Sequence, residues 1–303
     1  MDLLRPGTLW QTILRTTGQA LASGALLPVA TDQAFIDADG VQYLVRVLAG
    51  LRRKDEARKA QDDAARGGRQ ANPFLPPEPG LTVGEISDTH VAVLNKFNVV
   101  EHHLLIVTRG FEHQETLLTP ADWQALWTCM AEYESLGFYN GGKEGGASQD
   151  HKHLQVVPLP LASTGPSVPV EPLLAEARID GTGIGTVPAF PFLHSFARLA
   201  PDLWRSPAEA ARTGGLLYGQ MLERVGMAPP AAEGLTRQSR PYCLLVARNW
   251  MLLVPRSREH FEDISLNSLA YAGSFFVRDR EQLDRLRTAG PMNALAAVAL
   301  PMT

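Results

Sequence analysis

Asn140-Gly141-Gly142-Lys143-Glu144-Gly145-Gly146-Ala147-Ser148-Gln149-Asp150-His151-Lys152-His153-Leu154-Gln155-Val156-Val157-Pro158 is the stretch on which the fold and chemistry of this chain turn. Its second part sets His151, His153 and Gln155 at alternate positions, with Leu154 and Val156 on the opposite phase. Alternation is the strand period, so the spacing predicts two imidazoles and an amide on one face, neighbours ~6.6 Å apart. The glycines before them expose backbone N–H groups suited to cradling phosphates. A row of nucleophiles beside an anion cradle points to chemistry on a phosphoryl or nucleotidyl group.

Outward from this stretch, the flanks read as alternating strands and helices. His90 to Asn95 and His102 to Thr108 are two strand-like runs joined by Lys96-Phe97-Asn98-Val99-Val100-Glu101. Thr119-Pro120-Ala121-Asp122 has the form of a helix start, with a hydroxyl cap, proline in the first turn and an acid near the positive end. Trp123, Leu126, Trp127 and Met130 follow at helical spacing and read as core. Phe138 to Asn140 and His153 to Pro158 read as the strands on either side of the glycines. Further upstream, Thr8 to Ala22 is an amphipathic helix closed by Gly24, and Val41 to Leu48 is a strand. Leu51 to Asn72 is a polar run read as solvated helix and loop, and Asn72-Pro73-Phe74-Leu75-Pro76-Pro77 is a rigid extended connection.

Downstream, seven of the 22 prolines fall between Pro158 and Pro191, together with Gly181, Gly183 and Gly185. This irregular segment divides the chain into an N-terminal half, 1–160, and a C-terminal half, 161–303. Ser206-Pro207-Ala208-Glu209 opens a helix that runs to about Gly226, and Arg280 to Thr288 closes the chain as a charged helix. Leu244 to Arg256 echoes Val93-Leu94-Asn95-Lys96-Phe97 and Leu104 to Arg109: apolar strands around a polar turn, the second ending in arginine. The expected fold is therefore α+β, a duplicated unit whose second copy lacks His-x-His-x-Gln.

Composition excludes several classes. A net charge of −4 gives no electrostatic reason to expect nucleic acid or an anionic membrane as partner. Cys129 and Cys243 are the only cysteines, too few for a disulfide framework or a four-cysteine zinc site. The first residues do not form a signal peptide, and no run of ~18 apolar residues offers a membrane span. The expectation is a soluble, cytoplasmic protein.

His-x-His by itself has three readings: metal ligation, a structural or surface role, and catalysis. Gln155 is a poor ligand for a metal that imidazoles suit, but Glu144 or Asp150 supplies a carboxylate, so the metal reading stays open. Nucleotidyl transfer makes fuller use of the set. A neutral imidazole is a competent nucleophile toward an α-phosphorus, and a glutamine amide donates to a phosphate oxygen without adding charge.

At this point the residues match a known family. Asn140-Gly141-Gly142, Gly146-Ala147-Ser148-Gln149 and His151-Lys152-His153-Leu154-Gln155 with Pro158 resemble the diadenosine tetraphosphate phosphorylases (ATP adenylyltransferases) of the histidine-triad superfamily. That branch also holds galactose-1-phosphate uridylyltransferase. The resemblance extends over Asn72 to Pro76, Leu94 to Val99, Thr108 to Gln114, Asn249 to Arg256 and Asn267 to Ser274. It implies an antiparallel histidine-triad-like sheet with flanking helices. It further implies His153 as the nucleophile that becomes adenylylated, and His151 as its support, assisting proton transfer to the leaving polyphosphate. Gln155, where narrower triad proteins have a third histidine, holds the α-phosphate. Asn140 with Gly146, Ala147, Ser148 and Gln149 binds polyphosphate. Lys54, Asn95 and Lys96 contact nucleotide or phosphate, and Asn267, Ser268 and Gly273 are C-terminal nucleotide contacts.

The implied partners are diadenosine polyphosphates, ATP, ADP and inorganic phosphate, with a divalent cation, Mg²⁺, accompanying the substrate rather than a dedicated protein metal site. A nucleotide-sugar phosphorylase or transferase and a non-enzymatic dinucleotide sensor are the rival readings. A duplicated unit in one chain replaces a dimer of single units, so a monomer is expected. Three of only five lysines, Lys96, Lys143 and Lys152, fall in the matching regions, which suits phosphate binding. Lys152, however, belongs to the face opposite the histidines. His102 and His103 read as structural. Asp150 departs from the family pattern and either repels phosphate or faces solvent.

Overall fold

The computed structural model describes residues 3–48, 72–228 and 236–302. Its strands, in chain order, are β1 (Thr31–Ala38), β2 (Val41–Leu48), β3 (Thr82–Glu85), β4 (His90–Leu94), β5 (Leu104–Thr108), β6 (Ser135–Gly141) and β7 (His153–Pro158). After the midpoint come β8 (Arg178–Ile179), β9 (Ile184–Thr186), β10 (Ser195–Arg198), β11 (Tyr242–Val246), β12 (Trp250–Pro255), β13 (His260–Phe261), β14 (Ile264–Ser265) and β15 (Ser274–Val277). The helices are α1 (Leu9–Ser23), α2 (Pro120–Met130), α3 (Glu171–Ala175), α4 (Pro207–Arg224), α5 (Ser268–Tyr271), α6 (Arg280–Ala289) and α7 (Pro291–Val298).

Local chemistry explains the helix ends. Thr119 and Asp122 satisfy each other's backbone N–H groups in a reciprocal cap, and Pro120 fills the first turn where no donor is needed. Gly24 ends α1 with φ 74°, a left-handed conformation that costs glycine nothing. Ser206 caps α4 through the Glu209 N–H.

Ten strands form one antiparallel sheet in the order β3-β4-β5-β7-β6-β11-β12-β10-β9-β8. Counted from either edge to the centre, the first three strands follow chain order and the last two are exchanged. The two halves thus repeat one five-strand plan about a seam between β6 and β11. A single row of paired residues crosses the whole sheet: Thr82, Val93, Leu105, Gln155 and Phe138, then Leu245, Leu252, Phe196, Gly185 and Ile179.

The internal repeat read from the sequence therefore needs a different alignment. β11 and β12 are the counterparts of β6 and β7, not of β4 and β5, and Leu252 stands where Gln155 stands in the other half. Apolar strands resemble one another in composition, and only pairing tells them apart. The Pro- and Gly-rich segment after Pro158 also carries more order than a loop, since Asp180 and Gly183 close the β8–β9 hairpin at the far edge. Strands from both sides of residue 160 meet at the central seam.

Each face of the sheet has its own core. Leu154, Val156, Leu244, Val246, Met251 and Leu253 bury against α1, α2 and α4. Phe138, Val157, Leu245, Leu252 and Val254 bury against a three-stranded sheet, β1-β2-β15, and the C-terminal helices. No helix among the described residues is long and apolar enough to cross a membrane.

Candidate active site

A cleft of about 600 Å³ opens between the N-terminal half of the sheet, the glycine loop and the segment from His260 to Gln282. Its wall includes His153, Gln155, Asn95, Lys96, Asn140, Gly146, Ser148, Gln149 and Asn267. The topology brings these together from chain positions far apart.

His153 is buried, and its Nδ1 lies 2.8 Å from the carbonyl oxygen of His151. A carbonyl can only accept, so Nδ1 carries the hydrogen and Nε2 keeps its lone pair. Burial pushes the imidazole down to about 4, a shift the His151 carbonyl only partly offsets. The ring is therefore neutral near pH 7. Phe74 packs against it with ring centroids 5.4 Å apart.

His151 stands just before the regular strand, in an isolated bridge to His113. Its Nε2 reaches the Thr108 carbonyl at 2.8 Å and Asn72 Nδ2 reaches its Nδ1 at 2.8 Å. Both ring nitrogens are thus engaged away from the cleft, leaving neither free for the proton transfer that the resemblance implies. What His151 directs toward His153 is its carbonyl. Burial lowers its pKa as well.

Gln155 faces the cleft beside His103. His103, expected to be structural, is hydrogen-bonded to Asn95 and also lines the cleft. Asn95 Oδ1 accepts the Phe97 N–H at 3.3 Å, which turns its Nδ2 toward His103 Nδ1 at 3.2 Å. Desolvation pushes His103 down to about 4, with the Gln155 side chain opposing that shift. His102, by contrast, adopts φ 57° and bonds Thr17, well away from the cleft.

The glycine loop closes onto the C-terminal half. Gly146 has φ 92°, and a Cβ there would sit 2.7 Å from the Asn267 Cβ, so only glycine permits this approach. Asn140 Oδ1 accepts the Ser268 N–H at 3.0 Å, tying β6 to the start of α5. Ala147 belongs to the loop, its N–H on the Gly142 carbonyl, without lining the cleft. Asp150 is exposed and faces solvent.

Two expected contacts sit behind the wall. Ser268 is buried with its hydroxyl on the Tyr139 carbonyl at 2.9 Å. Gly273, at φ 84°, packs against Pro169 and accepts the Leu44 N–H, joining β2 to β15. Lys152 is fully buried on the opposite face, 2.6 Å from Asp122 and 3.2 Å from Glu112. Lys96 lines the cleft, paired with Glu78 at 2.8 Å. Lys54 lies outside the described residues. Arg46 is a cleft residue without a sequence signal, a buried guanidinium donating to the Leu161 carbonyl at 2.7 Å.

Residues 1–176 match the Ap4A phosphorylase N-terminal domain, and residues 188–301 match the ATP adenylyltransferase C-terminal domain. The chain belongs to the Ap4A phosphorylase family. It is 29% identical over 270 residues to diadenosine 5',5'''-P1,P4-tetraphosphate phosphorylase 2 of Saccharomyces cerevisiae, covering 81% of this chain and 79% of that protein. Protein APA1 of the same organism is 25% identical over 243 residues, 71% of each chain. Among solved structures, yeast Ap4A phosphorylase Apa2 superposes with a TM-score of 0.77 at 24% identity, over 97% of this chain and 95% of that one. The Apa2 complex with Ap4A gives a TM-score of 0.72 at 23% identity, over 97% of this chain and 98% of that one. These likenesses agree with the α+β fold built around the long antiparallel sheet.

Proposed function

We propose that this chain is a nucleotidyltransferase that phosphorolyses diadenosine tetraphosphate to ATP and ADP, and runs the reverse reaction, through an adenylyl group carried on His153. The observation that carries this reading is the 2.8 Å contact between His153 Nδ1 and the His151 carbonyl, which leaves Nε2 nucleophilic on the cleft wall.

In the first step the Nε2 lone pair attacks an α-phosphorus, the bond to the bridging oxygen breaks, and ATP leaves. The imidazole becomes positively charged as the bond forms, and the His151 carbonyl stabilises that charge through the Nδ1 hydrogen. Gln155 donates to a non-bridging oxygen, and the loop from Gly146 to Gln149 with Asn140 holds the polyphosphate. In the second step an oxygen of inorganic phosphate attacks the same phosphorus, the N–P bond breaks, ADP leaves and His153 regains its lone pair. Asn95, Lys96 and Asn267 contact the nucleotide from the surrounding wall.

Mg²⁺ enters this scheme as the counter-ion of the substrate's phosphates. The two five-strand units in one chain support a monomer, and two buried free cysteines suit a reducing cytoplasm. Incubation with diadenosine tetraphosphate and phosphate tests the reading. ATP and ADP are the expected products, and AMP would mark a hydrolase instead.

A further inference from the structure

We propose that Gln114 is a positioning residue for the nucleophile, its side-chain amide serving as a rung of the sheet between His153 and Asn140. The inference rests on His153 being the nucleophile, and it adds a device that sets where that nucleophile stands.

β6 and β7 pair directly from Ser135 and Pro158 as far as Phe138 and Gln155. The next rung in this register would join Asn140 to His153, because antiparallel pairing advances one strand as the other recedes. That rung is not direct. Gln114 stands in it: its Oε1 accepts the His153 N–H at 2.8 Å, and its Nε2 donates to the Asn140 carbonyl at 2.9 Å and to the His153 carbonyl at 3.2 Å. One amide thereby satisfies both backbone groups of the nucleophile and the facing carbonyl of the loop's stem. The partners also dictate which end of the amide is oxygen, since the two carbonyls can only accept.

Gln114 is itself held. It is buried, its N–H donates to the Asp150 carbonyl at 2.7 Å, and its own carbonyl accepts the Tyr139 hydroxyl. Directly paired strands lie ~4.8 Å apart, and an inserted amide parts them further. The parting begins where the glycine loop must leave β6 and where His153 must face the cleft. Asn140 in turn holds Ser268 through Oδ1. Gln114 therefore sets the spacing between the attacking nitrogen and the loop that holds the polyphosphate, a spacing no glycine or histidine in the loop can set alone.

Two substitutions test this, with adenylate trapping on the full-length protein in single-turnover mixtures of diadenosine tetraphosphate and Mg²⁺. Gln114→Met keeps the length and loses all three hydrogen bonds. The expected result is a fall of about 100-fold in the rate of adenylate formation, the scale of a small misplacement of reacting groups, with KM changed far less. Gln114→Glu presents a carboxylate to two carbonyls at neutral pH and a donor–acceptor pair once protonated. Its adenylation rate relative to wild type should rise as pH falls, a trend that a general loss of packing does not give. His153→Asn separates the two claims: adenylate formed without His153 overturns the nucleophile reading itself. If His153→Asn is silent while Gln114→Met labels at the wild-type rate, or Gln114→Glu shows a flat ratio across pH, the rung has no positioning role. Should Gln114→Met not fold, the pH ratio of Gln114→Glu decides.

Discussion

Gln155 and Leu252 hold matching places in one sheet, on either side of the seam between β6 and β11. Stepping two residues toward each strand's start gives a second matched pair, His153 and Trp250. Only the N-terminal member of each pair lines the cleft. The strand plan is the same in both halves, so the difference lies in what joins the two inner strands. Residues 142–152 connect β6 to β7 as a glycine loop, whereas residues 247–249 turn tightly from β11 into β12. A long connection opens the strand start and leaves room for substrate; a tight turn keeps it paired and filled with apolar side chains. The second half has not lost its use, because Asn267 and Ser268 from its C-terminal part fix the glycine loop and its stem.

The largest expected effect tests the asymmetry directly. Native protein should trap one adenylate per chain, and His153→Ala should lower turnover by roughly 10⁴-fold or more, as removal of a nucleophile does elsewhere. Trp250→His should leave the count at one, since no loop or cradle accompanies that place. Two adenylates per chain in that variant would show that the side chain alone, not the connection, distinguishes the halves.

Next in size is the ion pair behind β7. Lys152→Met leaves Asp122, held at about 2 against its burial by the His90 hydrogen bond and by Lys152, as a buried charge without its lysine partner. Breaking such a pair costs about 3–5 kcal/mol, and urea denaturation should show it. The double change Lys152→Met with Asp122→Asn should recover part of this loss. Equal loss in both variants would mean that packing, not charge, holds this face.

A pH series probes the cleft-side histidines. His153 and His103 sit at about 4 in the folded chain, against ~6.5 when unfolded. Between those values the unfolded chain binds protons that the native one refuses, so stability rises with pH over that window and is complete above it. Each contributes on the order of 3 kcal/mol by this linkage. A denaturation midpoint unchanged between pH 4.5 and 7 would contradict the buried, neutral state assigned to His153.

The smallest effect concerns the loop. Gly146→Ala forces a side chain into a left-handed backbone and against Asn267. The backbone term alone is about 1–2 kcal/mol, so a rise of roughly tenfold in KM for the dinucleotide is expected, with adenylate still forming on His153. An unchanged KM would mean that the loop does not need its present contact with the C-terminal half.

Much of this arrangement was legible in the chain because its signals are local. Thr119, Pro120 and Asp122 announced α2, Gly24 closed α1, and the alternation of His153 and Gln155 against Leu154 and Val156 placed β7. The ranks of β11 and β12 were not legible, since register depends on partners a hundred residues away and composition favours several pairings. Gln114 and His103 were missed for the same reason: a glutamine becomes a rung, and a histidine becomes a wall, only through the neighbours that topology supplies. Ser268 and Gly273 lie in the right segment but behind the wall, Ser268 with its hydroxyl on the Tyr139 carbonyl and Gly273 packed on Pro169, contacts that depend on distant parts of the chain.

The seam between β6 and β11 has a consequence in time. β6 is complete once residue 141 has been made, but its outer partner ends at residue 246. At ~5–20 residues per second, the nascent N-terminal half waits on the order of 5–20 s with an apolar edge strand unpaired. Leu136, Phe138 and Tyr139 lie on that edge, and an exposed edge is a template for pairing with another chain. Chaperone demand during synthesis should therefore concentrate in the interval before β11 emerges, and truncation between residues 160 and 240 should yield aggregated rather than soluble product.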